Sequence, residues 1–410
     1  MRPDFHFTPA AGWINDPHGL HHWKGEYHAF YQYVPERTEW SEDIHWGHAK
    51  GLDLLSLEEL AVAIFPGDGD VGIWTGSLVV DDEDAAHIFY TSVSQPVLDH
   101  ARIRIATPVD PDWATWRKGA FVAEMPAELT VYRDPWVFRD GAAWSMLVGG
   151  RHQDGGGAMV SYRSDDLRDW TYQGIALRTP TDGPLARNVL WECPQLFEID
   201  GRHVLVLSVG DEGETPYVGY AIGEWADGRF DAASWGRLTF SRSHYAPTFV
   251  RDASGRPTLV FWLREVSDVA AGWAGALSVP YLLALDHGEL VVRPHPDLGR
   301  FRLDAVAADA GAPAADIVWA AQSGAELSIA TDAGDIVALR MTDDRLFVET
   351  ASEASSMPAG GEVRIVLDGP IVEVSTERGV YGAQIPVSRG FRVTGDTGAV
   401  QVHPLARPAP

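Results

Sequence analysis

The chain has 410 residues, 45% hydrophobic and 22% charged, enough apolar sequence for one large domain or two to three ordinary ones. Its 32 Lys and Arg against 58 Asp and Glu give a net charge of −26, a field that repels phosphate backbones and anionic lipid. No nucleic-acid or membrane partner is expected, and the charge argues mildly against a strongly anionic substrate.

Cys193 is the single cysteine, so no internal disulfide forms. The opening Met1–Phe7 lacks a basic-then-apolar signal pattern, and no stretch reaches the roughly 18 apolar residues of a membrane span. The expected location is cytoplasmic; a secreted chain trimmed of its leader would read the same. Whether the chain forms a homo-oligomer is left open.

Gly12-Trp-Ile-Asn-Asp-Pro-His-Gly19 holds two turn-forming pairs, Asp-Pro and His-Gly, and taken alone reads as a bend with a solvated aspartate. It is also the first of five similar units. Each begins with an aromatic residue, followed by an apolar run, a turn and a second apolar run. They start at Trp13, Trp74, Tyr132, Trp191 and Tyr245, about 55–60 residues apart. The paired runs read as strands joined in hairpins, so five antiparallel units suit a five-bladed β-propeller in which each blade packs on its neighbours. A single long sandwich is the rival layout, but it gives no reason for a regular period. The expected propeller spans residues 1–298.

Beyond residue 300 the period stops. Asp304–Asp316 is Ala-rich and weakly patterned, as a connector would be. Alternating runs at Val363–Asp368 and Ile371–Ser375 then predict a second all-β unit, a sandwich, over 299–410.

In a propeller the matching ends of the innermost strands face one central funnel. The repeat therefore carries Asp16, Asp134 and Glu192 to one place, although Asp16 and Asp134 directly precede a proline and Glu192 lies two before Pro194. Strand alternation alone would not aim all three inward. Facing carboxylates can cleave a glycosidic bond, one donating a proton to the leaving oxygen and the other attacking the anomeric carbon or activating water. Neighbouring negative charge raises the pKa of one member and lets it hold the proton.

Other readings are weaker. His45 and His48 alternate wrongly for two metal ligands on one face, no Cys/His cluster has zinc spacing, and His21-His22 reads as a solvated strand end. No metal or cofactor is expected. Cys193 has no evident His or Asn partner and reads as packing or lining rather than as a nucleophile. Gly155-Gly156-Gly157 is a loop, not a phosphate cradle. The 16 Trp divide between core and a cleft where apolar rings could pack on sugar C–H faces.

These motifs resemble glycoside hydrolase family 32, the β-fructofuranosidases, over nearly the whole chain. Trp13–Gly19 is similar to the family's nucleophile motif, Arg133-Asp-Pro135 to its Arg-Asp-Pro motif and Trp191-Glu-Cys-Pro194 to its Glu-Cys motif. Phe30–Tyr33, His45–His48, Trp74–Ser77, Gly272–Ser278 (the segment closing the propeller) and Leu367–Val374 resemble secondary signatures. The resemblance implies Asp16 as nucleophile, Asp134 as transition-state stabiliser and Glu192 as general acid/base. It implies a fructose pocket from Asn15, Gln32, Trp40, Trp74, Thr75, Arg133, Cys193, Tyr245 and Trp262. The implied activity is retaining, exo-acting hydrolysis of terminal fructose from sucrose or fructans, a small-molecule fructoside being the partner. A fructosyltransferase, or an enzyme forming or cleaving fructan dianhydrides, would use the same fructosyl-enzyme. Five-bladed arabinoside or xyloside hydrolases, which commonly invert, would share the architecture, as would a catalytically silent sugar-binding propeller. Departures occur at His18, at the longer Trp40–His45 spacing, at Leu55–Leu60 and at Ser375. They touch the leaving-group side and the domain interface rather than the three acids.

Overall fold

The computed structural model describes residues 2–94, 98–179, 189–211, 215–307, 312–331, 334–387 and 390–408. Strands dominate, and the helical segments among the described residues are short 3-10 turns. Five antiparallel meanders form the propeller. Their innermost strands are Gly12–Trp23, Gly72–Val80, Leu129–Asp140, Val189–Ile199 and His244–Arg251, one per blade, packed side by side around the funnel. Tight hairpins follow from local chemistry. Lys24-Gly25, Asp200-Gly201, Asp227-Gly228 and His287-Gly288 are two-residue loops with positive φ at both positions, the backbone that matches strand twist.

The ring closes through Trp273–Leu277. This strand runs parallel to Gly12–Trp23, pairing Gly12 with Trp273, and antiparallel to Pro257–Asp268 of the fifth blade. The first and fifth blades thereby become one continuous sheet.

Two five-stranded antiparallel sheets then enclose a separate core around Trp319, Leu346, Met357 and Tyr381, giving the expected sandwich. The connector is shorter than the sequence implied, because Ala314–Trp319 is a central strand of one sheet. Small Ala side chains hide its periodicity, and residues 308–311 lie outside the described ones. His21 is a further correction: its ring lies against Trp23 and Trp113, and burial lowers its pKa to about 4.

The sandwich meets the propeller along Ile371–Thr376. Val372 and Val374 face the sandwich core, while Ile371 packs on Leu263, Val266 and Trp273 of the propeller. Glu373 sits on the propeller side, fully buried, and accepts four hydrogen bonds. His6 Nε2 (2.7 Å) and the Val279 N–H (2.8 Å) meet Oε1; His244 Nε2 (2.6 Å) and the Tyr281 hydroxyl (2.9 Å) meet Oε2. His6 Nδ1 also reaches Asp368, 2.8 Å away.

This cluster ties stability to pH. Burial alone would lower the His6 pKa, but hydrogen bonds to Asp368 and Glu373 more than reverse this and raise it from 6.5 to about 9. Burial pushes Glu373 up, yet the two imidazoles hold it near 2 against an ordinary 4.5. The raised His6 pKa stabilises the fold fully below pH 6.5, and that contribution is lost as pH rises through about 9. The depressed Glu373 pKa stabilises it above pH 4.5, and that is lost as pH falls towards 2. The His6 rise corresponds to roughly 3 kcal/mol. The Tm gap between wild type and His6→Gln should therefore be widest between pH 4.5 and 6.5 and shrink by pH 9, as read by scanning calorimetry. A gap unchanged from pH 6 to 9.5 would refute the charged pair.

Candidate active site

In every blade the pairing of the first two strands slips near the funnel mouth, and in the first and third blades it slips a second time elsewhere. The slips at the mouth fall between Ile14 and Pro17, Trp74 and Gly76, Arg133 and Trp136, Glu192 and Gln195, and Tyr245 and Thr248. These are bulges, which re-aim side chains that alternation would send to opposite faces. Asp134, Cys193 and Ala246 take the left-handed backbone, with φ of 66°, 48° and 43°. The bulges bring Arg133 and Asp134, and likewise Glu192 and Cys193, to the same pocket. They also supply what the sequence left open, how Glu192 turns inward from two residues before its proline. Aligned on the following proline, Glu192 matches Arg133 and Tyr245, and Cys193 occupies the position of Asp134.

Asp16 is held by three donors: Asn15 Nδ2 on Oδ1 (2.8 Å), and Thr75 Oγ1 (2.6 Å) and Gln32 Nε2 (3.2 Å) on Oδ2. Cys193 Sγ lies 3.6 Å from both Asp16 Oδ2 and Asp134 Oδ2, so one thiol joins the two carboxylates. The Cys193 N–H donates to Asp134 Oδ2 (2.9 Å), and the Asp134 N–H donates to Thr91 Oγ1 (2.7 Å). Across the pocket, the Tyr245 hydroxyl donates to Glu192 Oε2 (2.7 Å), and Arg133 Nη1 stands 3.7 Å from Oε1. Arg133 also pairs with Asp99 (2.8 Å) and lies over the Trp74 ring.

The aromatic residues form the wall. Trp74 is buried, Trp40 meets it edge-on at the rim and is 52% exposed, and Trp262 packs against Trp13. Thus the pocket gathers Asn15, Asp16, Gln32, Trp74, Thr75, Arg133, Asp134, Glu192, Cys193, Tyr245 and Trp262 from all five blades, with Trp40 at its edge. Thr91 and Asp99, which hold the Asp134 backbone and the Arg133 side chain, carried no sequence signal. One is an ordinary strand threonine and the other lies in an irregular stretch.

Burial raises Asp16, opposed by the Thr75 hydrogen bond and reinforced by the charge on Glu192. Burial raises Asp134 too, with Glu192 and Asp16 adding to it. Closely spaced acids of this kind share protons and titrate as a set. The Cys193 thiol is pushed far up by burial and by the carboxylates, so it stays an S–H donor rather than a nucleophile. Tyr245 is raised by burial and by Glu192, and remains an O–H donor. Asn15 Oδ1, Arg133 Nε and Trp262 Nε1 are buried without hydrogen-bond partners. Such atoms are costly unless a ligand satisfies them, and a polyhydroxylated sugar offers both donors and acceptors.

Residues 6–294 match the model of the glycosyl hydrolases family 32 N-terminal domain. The chain belongs to glycosyl hydrolase family 32. This family 32 chain is 34% identical over 317 residues to a sucrose-6-phosphate hydrolase of Zymomonas mobilis, covering 71% of the chain and 61% of that relative. It is 28% identical over 327 residues to a fructan 6-exohydrolase of Beta vulgaris, covering 70% and 52%. The chain thus spans less than two thirds of these relatives' length. Its fold superposes on a Bombyx mori GH32 β-fructofuranosidase with a TM-score of 0.87 at 24% identity, covering 100% of this chain and 95% of that one. Among the described residues, no helix is long and apolar enough to cross a membrane.

Proposed function

We propose that the chain is a retaining, exo-acting β-fructosidase that releases terminal β-D-fructofuranosyl residues from sucrose or short fructans. Asp16 attacks the anomeric carbon while Glu192 gives its proton to the departing oxygen. Glu192 then takes a proton from water, which displaces Asp16 and frees fructose. Asp134 lies against the ring hydroxyls and stabilises the positive charge that develops in each transition state.

The observation that carries this reading is the meeting of Asp16 and Asp134 over the Cys193 thiol, with Glu192 held in the same pocket by Tyr245. Asn15, Gln32 and Thr75 donate to Asp16 and favour its ionised, nucleophilic form against the pull of burial. Tyr245 holds Glu192 in place through Oε2, with Arg133 on the Oε1 side. The curated relatives, named for hydrolysing sucrose 6-phosphate and fructan, support a β-fructosidase.

The test is a product analysis on sucrose, inulin, levan and a fructan dianhydride, with methanol added as acceptor. Free fructose from chain ends and methyl β-fructofuranoside are expected. An α-configured methyl product would mean inversion. A ladder of internal fragments would remove the exo reading, and lengthening oligosaccharides as the main product would make the chain a transferase.

A further inference from the structure

We propose that Glu373, in the sandwich, is a positioning residue for the reaction, holding His244 and through it the Tyr245 hydroxyl on Glu192. This rests on the reading of Glu192 as general acid/base. His244 and Tyr245 are consecutive on the inner strand of the fifth blade and point to opposite sides. The His244 ring turns to the sandwich, where Nε2 meets Glu373 Oε2 at 2.6 Å; the Tyr245 hydroxyl meets Glu192 Oε2 at 2.7 Å. Immediately beyond them the strand bulges, and the Ala246 N–H is tied to Ser208 Oγ (3.0 Å) on the fourth blade. The two residues are therefore pinned at both ends.

The sandwich is shaped for this contact. A Cβ on Gly382 would lie 2.5 Å from His244 Cε1, so only glycine leaves room for the ring, and the Gly382 N–H donates to Ser241 Oγ (3.1 Å) on the approach to it. Glu373 also binds His6, before the first blade, and the Val279 N–H, just after the closing strand. One buried carboxylate thus joins both ends of the propeller ring to the strand that carries Tyr245. Loss of its charge frees His244 and lets the Tyr245 hydroxyl drift from Glu192. A misplacement near 1 Å at such a site costs about 100-fold.

The experiment measures kcat and KM on sucrose and pre-steady-state release of the leaving group from an activated aryl β-fructoside, with pH profiles of kcat/KM on sucrose. It compares wild type, Tyr245→Phe, Glu373→Gln, the double variant, His244→Leu and His244→Gln. Glu373→Gln should lower kcat on sucrose by about 10- to 100-fold. KM for sucrose and the pre-steady-state rate of leaving-group release from the activated fructoside should stay within about 3-fold, because a good leaving group needs little proton transfer. The alkaline limb of the kcat/KM profile should move in the same direction and by the same amount as in Tyr245→Phe. The other groups facing Glu192 (Arg133, Cys193, Asp16 and Asp134) are untouched by this variant. The double variant should be no worse than Tyr245→Phe, and His244→Gln, which keeps a donor near Nε2, should recover activity that His244→Leu loses.

Additive losses, an unmoved limb and equal slowing of both substrates, with only Tm lowered, would make Glu373 purely structural. Should Glu373→Gln not fold, Gly382→Ala presses on the same ring with all carboxylates intact, and the same readouts decide. If Glu192→Gln itself fails to distinguish good from poor leaving groups, the acid reading falls. If it distinguishes them and the Glu373 and Gly382 variants do not, only the positioning role falls.

Discussion

Glu192→Gln is expected to slow sucrose cleavage by on the order of 10²–10⁴-fold, the range of general acid catalysis, while an activated aryl or fluoride fructoside still loads onto Asp16 at a much less affected rate. The substitution is close to isosteric. The amide oxygen can still accept from the Tyr245 hydroxyl, so the pocket should keep its shape and lose only the proton. With a good leaving group the first step proceeds, but the second needs Glu192 as base, so the fructosyl-enzyme should accumulate. Added azide, which needs no deprotonation, should release it as fructosyl azide. Asp16→Asn should show neither behaviour, because no covalent species can form. Pre-steady-state release of the leaving group reads both variants. Equal slowing of good and poor leaving groups would remove Glu192 from the acid role.

The five blades were legible because the aromatic-led hairpin recurs and because Asp-Gly and Lys-Gly turns fix where each hairpin reverses. The aim of the acids was not. It depends on bulges whose left-handed residues are Asp134, Cys193 and Ala246, none of them glycine, so no residue type advertises the conformation. Only the prolines at 135, 194 and 247 mark the spot, and Pro also begins ordinary turns. The domain interface was hidden by the opposite problem. In Ile371-Val-Glu-Val-Ser375, strict alternation reads Glu373 as solvent-facing. That face is the outer surface of the sandwich but the inner surface of the molecule, and Glu373 is 1% exposed. A sequence pattern distinguishes two faces of a strand; it does not say whether another domain covers the polar one.

Asp134→Asn should leave the fold intact and remove most of kcat. The backbone at Asp134 is left-handed, with φ of 66°, and Asn is among the few residues that adopt this region readily. Its amide oxygen can accept the Cys193 N–H that Asp134 Oδ2 now takes, so the bulge and the thiol bridge to Asp16 should survive. What disappears is a negative charge beside a ring that becomes positive in the transition state. Removing one preorganised electrostatic contact of this kind costs about 10²–10³-fold. The ground-state sugar is neutral, so KM should change little, and the loss should fall on kcat and kcat/KM together. The variant also carries a pH signature. Asp16 must be ionised to attack; burial and the charge on Glu192 raise its pKa, and Asp16 and Asp134 also repel each other, a coupling that shows in the raised pKa of Asp134. Neutralising Asp134 relieves part of that repulsion, so the acid limb of kcat/KM should move to lower pH even as its plateau falls. Steady-state kinetics on sucrose across the acid range give both quantities. A variant with raised KM, near-normal kcat and an unmoved acid limb would make Asp134 a substrate-binding group only.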